Sequence, residues 1–477
     1  MPLSAFAKRV AVLAVPVVAA VGCFGATTDG TSQSSAPVTY YKDVEPIVQG
    51  HCLNCHSTGG IAPFTLDSYE AVRDNAQAIV GVTQAGTMPP WGTKESSACA
   101  PRYKWRSDPR LSTDELKTLE AWSDQNTPMG DAKDSKAYTP TPRGLQNVDT
   151  TLAPQGAYTV ADTKRDSFRC FVIDPKLTES KYINGTNIVP GNEQVVHHAL
   201  LFADPKNESS KKQLGPDGGY DCFGGIGVSE LSLVMGWVPG AFPQSFPEEI
   251  GTKVEPGTVF VMQIHYHPHT LAAVNSKPDL TKVEIRWNKT VPKYQMTAAL
   301  VGNFSGPIQG NYGFVHNGDD PKSLSEFRIP ANAKDVTITQ KIALPPTLDG
   351  KPTPDLLLYG VGAHMHYVGT KQQITLKHAS VRDGESDDGK ECLLDMDRWD
   401  FNWQRVFQYD TSIATLPQVR ALDELSIKCT YDNTLQNSAV ASALKAQGMS
   451  QPKDVVLGEQ TLDEMCLGVF QLLTPNQ

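Results

Sequence analysis

The chain has 477 residues, of which 40% are hydrophobic, and a formal net charge of -10. At roughly 150 residues per domain, that length is too great for one ordinary domain, and the apolar share is that of a globular protein. The acidic balance carries no basic cluster, which excludes nucleic acid and polybasic membrane surfaces as expected partners.

Taken in chain order, Lys8 and Arg9 precede an apolar run from Val10 to Val21 that is too short to span a bilayer. Residues 1–22 therefore read as a signal peptide, and the expected location is the periplasm or cell envelope. Gly22-Cys23 closes the run as bacterial lipoprotein signals do, which predicts a lipid anchor on Cys23. Ala20 stands where leucine is usual, so simple cleavage and release stays open. No later apolar stretch has the length of a transmembrane helix. Residues 23–37 form a Ser/Thr-rich tether.

Residues 38–131 read as helical, over Tyr41 to Val48, Ser68 to Val82 and Thr113 to Trp122. Ser112 with Glu115 makes a capping box for the last of these. Cys52-Leu53-Asn54-Cys55-His56 is a C-x-x-C-H haem attachment sequence, in which the thiols of Cys52 and Cys55 add to the haem vinyls and His56 becomes the proximal iron ligand. A redox C-x-x-C or half of a zinc site are the alternatives, but neither uses the histidine in this way and no second cysteine pair follows. Met88, in Thr-Met-Pro-Pro-Trp, is the candidate sixth ligand because the prolines hold its backbone extended, the alternative being a core methionine. This segment resembles small bacterial cytochromes c. The resemblance implies an all-α cytochrome c domain with one covalently bound haem c, and haem by itself implies electron transfer.

A polar linker at residues 132–147, holding Pro140 and Pro142, ends the helical texture. Beyond it come short β-rich runs: Phe168 to Val172, Val195 to Phe202, Thr258 to Tyr266, Leu356 to Val361 and Leu425 to Thr430. Their spacing predicts two all-β sandwiches of jelly-roll-like character, at 148–292 and 293–477.

Most of the eleven histidines fall in three groups within this β-rich part. His197 and His198 are adjacent, His265 lies in Gln-Ile-His-Tyr-His, and His364 and His366 lie in Gly-Ala-His-Met-His-Tyr. On a strand, residues two apart share a face, so His364 and His366 can reach one metal. Adjacent His197 and His198 cannot do so on a regular strand without a twist. A lone histidine is more often a hydrogen-bonded core residue than a ligand; three groups, with a thioether nearby, favour copper. No H-E-x-x-H is present, which disfavours a zinc peptidase.

At these residues the sequence resembles the ascorbate-dependent type II copper monooxygenases, the family of peptidylglycine alpha-hydroxylating and dopamine beta-monooxygenases. His197 and His198 match the paired ligands of the family's first copper, and Gln263-Ile264-His265-Tyr266 matches the segment that gives the third. His364 and His366 match the H-x-H pair of the second copper, and Asp463-Glu464-Met465-Cys466 matches the segment whose methionine, here Met465, completes it. The resemblance implies two copper ions, with His364, His366 and Met465 at the oxygen-binding, hydroxylating site. Where the peptide enzyme has an arginine before the H-x-H pair, this chain has Gly362, and Leu467 and Val469 replace its asparagine and tyrosine. A peptide carboxylate would lack its bidentate partner, so a small, weakly polar substrate is expected. His267 and His269 are assigned no ligand role, nor are His51, His316 and His378.

The resemblance also implies disulfides Cys170–Cys222 and Cys429–Cys466. Cys99 and Cys392 are left over and are expected to bond to each other, with two unpaired thiols as the alternative. The expected function is hydroxylation of a C–H bond with O2, with electrons arriving from an external donor, a redox protein or small reductant, through the fused haem. The competing expectation is a copper-binding electron-transfer or copper-handling protein without oxygenase activity.

Overall fold

The run Val259–Tyr266 buries all eight of its residues, as a strand with neighbours on both edges and cover on both faces must. It is one of the strands that carry the candidate site in the computed structural model, which describes residues 37–476 apart from 59, 61, 140–143, 161–166, 223–224, 240, 267–276, 304–314, 317–326, 349, 383–384, 387 and 459–461. Cys23, His267 and His269 lie outside the described residues. In chain order these strands are β1 (Ser167–Ile173), β2 (Val196–Asp204), β3 (Ser232–Trp237), β4 (Val259–Tyr266), β5 (Tyr294–Gly302), β6 (Lys334–Ala343), β7 (Leu356–His364), β8 (Gly369–Lys377), β9 (Lys390–Met396), β10 (Val406–Gln408), β11 (Glu424–Asp432) and β12 (Leu467–Pro475).

One 15-stranded sheet runs antiparallel through β1, β4, β2, β3, β5, β12, β7 and β10 in that spatial order. Its continuity rests on β5, whose nine residues pair with β12 from Tyr294↔Pro475 to Gly302↔Leu467 while Ala298 also faces Leu233 of β3. The sheet therefore takes strands from both sides of residue 292. A second, five-stranded sheet places β6, β11, β8 and β9 side by side. Its inward residues alternate with exposed ones, most regularly in β6, and the buried set joins β7 and β12 in one core.

The helices are short: α1 (Glu45–His51), α2 (Tyr69–Asp74), α3 (Ala76–Gln84), α4 (Thr113–Asp124) and, late in the chain, α5 (Ser438–Ala446). The capping box at Ser112 and Glu115 is present on α4. A π turn at Tyr40–Val44 precedes α1, and Tyr40, Val44, Ile47, Leu119 and Trp122 pack into a small apolar cluster.

The expectation of an all-α cytochrome c domain is corrected here. The molecule is mostly β, and residues 91–106, between α3 and α4, leave the helices and dock on the β region. Thr93 bridges Met396 and Trp105 bridges Tyr409, while the Lys94 and Arg106 amides donate to the carbonyls of Asp395 and Gln408. Trp91 and Trp105 are buried in the main β core rather than among the helices. The physical reason is local: a stretch with Pro89, Pro90, Pro101 and Pro109 cannot be helical, and its two indoles each gain about 1.5–3 kcal/mol by burial against the nearest large apolar surface. Val38–Gln477 cluster as one compact unit.

Candidate metal centres

His265 lies on β4 between two partners in register, Phe168 of β1 and His198 of β2. The β2–β4 register shifts between Val196 and His198, so His197 is the extra residue of a bulge. That irregularity answers the problem posed by adjacent histidines, because a bulge turns a side chain that regular pleating would send to the opposite face. His198 Nδ1 lies 3.1 Å from His197 Nδ1 and 3.3 Å from His265 Nδ1. The ligand atoms of all three fall within 4.8 Å of one another. Phe168 stacks flat on the His265 ring at 4.4 Å and fixes its plane.

Burial first, then the imidazoles of His265 and His197, and after them His364 and His366, hold His198 well below the usual histidine range. A neutral ring with its lone pair free suits a metal ligand. The same sources show that the second histidine pair stands within electrostatic range of the first.

That pair ends β7. His364 opposes Leu467 of β12, and the rings of His364 and His366 lie 5.4 Å apart and nearly perpendicular. Gln404 Oε1 lies 2.7 Å from His364 Nδ1, and the carbonyl of Asp463 lies 3.1 Å from His366 Nδ1. Both acceptors call for a proton on Nδ1, which leaves Nε2 of each ring to face a metal, the usual way a neighbouring group fixes a ligand's tautomer. Burial also lowers the His364 pKa, with Gln404 acting in the opposite sense. Met465 is buried two residues before Leu467, so the β7–β12 pairing brings its segment to the end of the sheet that carries His364 and His366. Glu464, wholly buried, joins the two segments: its Oε1 accepts from the backbone N–H of Met465 at 2.8 Å and from that of His366. The donor set, two imidazoles with a thioether whose segment the strand pairing brings to the same end of the sheet, matches the preferences of copper, as do the three converging imidazoles of the first group.

Phe401 stands between the two groups, stacked on His197 at 5.0 Å and edge-on to His366 at 5.9 Å. Neither Phe401, Gln404 nor the clamp by Glu464 was foreseen from the sequence. The available signal was the aromatic-rich run Trp399-Asp-Phe-Asn-Trp-Gln-Arg405, which has no helical or strand period. Gly362 faces Val406 of β10, and a Cβ there would lie 2.8 Å from the Arg405 carbonyl oxygen. The strip at 405–406 thus fills the space that an arginine at position 362 would need.

Three disulfides join Cys99 to Cys392, Cys170 to Cys222 and Cys429 to Cys466. Cys52 and Cys55 take part in none of them. Cys52 follows α1, and its carbonyl accepts from the Cys55 and His56 amides at 3.1 and 2.9 Å, so the two cysteines and His56 occupy one tight turn. His56 Nδ1 lies 3.2 Å from the Phe64 carbonyl, which again leaves Nε2 outward. Burial, with Cys55 adding to it, pushes the Cys52 thiol up to about 12. Met88 is 37% exposed, which rules out a core role for it. His51 and His378 serve structure: His51 bonds Pro109 O and Glu115, and His378 lies in a buried charge network with Asp423.

No family model matches the chain. It is similar to a human protein whose name, DBH-like monooxygenase protein 2, itself rests on likeness, with 25% identity over 298 residues, 61% of this chain and 49% of that protein. The chain thus spans about half the length of that relative. Two solved structures, a peptide-N(4)-(N-acetyl-beta-D-glucosaminyl) asparagine amidase and PNGase F from Flavobacterium meningosepticum, match at 10% and 12% identity. They cover 65% and 60% of this chain and 99% and 97% of their own, with TM-scores of 0.22 and 0.20, too low for any argument. Among the described residues, His197, His198 and His265 form a group that could hold a metal ion, and the β-rich chain that carries them is similar in sequence to a DBH-like monooxygenase.

Proposed function

We propose that this protein hydroxylates a C–H bond of a small, weakly polar molecule with O2, using two copper ions, and draws its electrons through a haem c held by Cys52, Cys55 and His56. The observation that supports this most is the pairing of unlike histidine sets, three convergent Nδ1 atoms and two freed Nε2 atoms, with Phe401 in contact with both. Hydroxylation consumes one O2, two electrons and two protons and yields the alcohol and water. Copper supplies one-electron chemistry and dioxygen activation when bound, and haem supplies single electrons. The chain's own contribution is position: Gln404 and the Asp463 carbonyl orient His364 and His366, Glu464 holds the Met465 segment against His366, and Gly362 with Leu467 presents an apolar wall without a carboxylate partner. Met88 is the proposed second haem ligand. Export, with or without a lipid on Cys23, accords with the three disulfides. An external one-electron donor would feed the haem.

The test is oxygen uptake by reduced protein against hydrocarbon-like, aromatic and amine compounds, read together with product mass and with metal and haem content. The reading expects two coppers and one haem per chain, uptake matched by hydroxylated product, and loss of product but not of haem in Met465→Ala. Two coppers without product from any compound class would instead favour an electron-transfer or copper-handling protein.

A further inference from the structure

Met465 lies just outside the regular ladder, because β12 begins only at Leu467. A methionine side chain has three rotatable bonds and a neutral, weakly donating sulfur, so its use as a ligand depends on how firmly its backbone is placed. That placement comes from the five-stranded sheet. The Met465 carbonyl accepts from the Tyr431 hydroxyl of β11 at 2.9 Å, the Cys466 carbonyl from Gln340 Nε2 of β6 at 2.7 Å, and the Leu467 carbonyl from Gln372 Nε2 of β8 at 2.8 Å. The Asn303 amide adds a longer bond of 3.4 Å to the Cys466 carbonyl, and the Cys429–Cys466 disulfide ties the same residue to β11. Three consecutive carbonyls are thus held from three different strands.

Strand register brings the three donors together. Gln372 faces Cys429 across β8–β11, and Gln340 faces Ile427 across β6–β11. Residues 427, 429 and 431 alternate onto one face of β11, so Gln340, Gln372 and Tyr431 share that face with Cys429. Its other members, Ile338, Ile342, Ile374, Leu376, Leu425 and Ile427, are buried and apolar. A polar group buried among them is tolerated only where it finds a partner, and each of the three finds one within residues 465–467. Gln372 does more: its Oε1 accepts from the His364 N–H at 3.2 Å, so one carboxamide joins His364 to Leu467, the residue it faces in β7–β12.

We propose that Tyr431, Gln340 and Gln372 are positioning residues for the second metal site, which set the Met465 sulfur relative to His364 and His366. This rests on the copper reading above. The histidine rings take their orientation from other groups, Gln404 and the Asp463 carbonyl, so the five-stranded sheet governs the thioether separately from the imidazoles. Glu464 holds the N–H side of the same segment, and the three donors hold its carbonyl side. A loosened carbonyl side should therefore cost the site its sulfur before its nitrogens. Because a soft thioether favours Cu(I), the loss should fall on Cu(I) more than on Cu(II).

The experiment loads the full-length protein with Cu(I) without oxygen and reads sulfur coordination by X-ray absorption at the copper edge. The three-histidine set has no sulfur, so that signal reports the second site alone. Tyr431→Phe and Gln372→Met, which remove one donor each from different strands, should lose most of the sulfur signal and weaken Cu(I) at that site by about 10- to 100-fold, while Cu(II) spectra keep their nitrogen ligands. Gln340→Met, from a third strand, decides the matter should either of the others fail to fold. Thr252→Val is the control: it removes a bond of the same kind, to the Met296 carbonyl at the end of β5 remote from Leu467, and should keep the sulfur. Folded cradle variants with the parent's sulfur signal would overturn the inference and leave the copper reading intact. Equal sulfur loss in Thr252→Val would also overturn it, by showing that general destabilisation is enough. A parent protein that binds copper without any sulfur would remove the Met465 assignment, and this inference with it.

Discussion

Glu464 shows how one side chain can hold a site it does not line. It is fully buried, and burial pushes its carboxyl up to about 8 against the pull of the Met465, His366, Gly369 and Val368 amides. Those donors come from the end of β7, the turn into β8 and the approach to β12, so one carboxyl fixes the spacing of His366 and Met465. Glu464→Ala should leave several buried N–H groups without an acceptor, at a cost of about 1–3 kcal/mol for each one left unpaired. Equilibrium copper titration should then show the second ion lost or weakened and the three-histidine ion retained, and Glu464→Gln, which keeps a carbonyl, should fall between. Unchanged binding of both ions in Glu464→Ala would remove the clamp. At this scale the histidines and Met465 were legible, since strand period and resemblance single them out. Gln404, Phe401 and Arg405 were not, because their roles depend on what a strand forty or so residues away presents to them, and no local pattern encodes that.

The strands themselves were readable from their apolar runs, and β4, β7 and β11 fall where Thr258 to Tyr266, Leu356 to Val361 and Leu425 to Thr430 were expected. What alternation cannot reveal is which strands pair at long range, so the continuous sheet through β5 and β12 had no signal in the sequence. The bulge at His197 was implied only by the difficulty of two adjacent ligands. A second device links sheet elements through charge: His378, just past β8, bonds Asp423 at 2.8 Å and lies 3.5 Å from Glu391 of β9 and 3.6 Å from Glu385, with Arg420 closing the group onto Glu385. Burial opposes charging of this imidazole, but the hydrogen bond to Asp423, the Glu391 carboxylate beside its Nε2 and the charges of Asp423 and Glu385 outweigh it and raise its pKa to about 9. A folded pKa above the unfolded one means that the stabilisation is complete below about 6.5 and is lost as pH rises through about 9. Denaturant unfolding should therefore show stability falling across that window by an amount on the order of 3 kcal/mol. His378→Gln should be less stable at pH 6 and should flatten the curve; an equally steep fall in the variant would place the titrating group elsewhere.

At the scale of the whole molecule, the failed expectation of a free-standing all-α domain and the Cys99–Cys392 bond have one cause. Residues 85–106 are an arm of the N-terminal segment that uses the β region as its core: Trp105 stacks on Tyr409 at 5.0 Å, Arg102 pairs with Glu391, and Arg398 reaches back to the Ala85 carbonyl at 3.0 Å and to that of Gly86. The disulfide, with a sequence separation of 293, ties this arm to β9. Helical periodicity on either side of the arm made a separate helical domain the natural reading, and only the leftover cysteines pointed across the chain. A crosslink closing so long a loop restricts the unfolded chain strongly, by about 5–6 kcal/mol in the chain-entropy account. Cys99→Ala with Cys392→Ala should accordingly lower the unfolding midpoint while leaving the fold intact, because the buried indoles still hold the arm. The loss should be visible locally. The amides of Lys94 and Arg106 donate to Asp395 and Gln408 across this contact, and their hydrogen exchange should speed up in the double variant relative to amides within β4, which reports on opening of the arm alone. If Lys94 and Arg106 keep the parent's protection while the unfolding midpoint falls, the disulfide acts only on the unfolded chain and does not hold the arm against the β region.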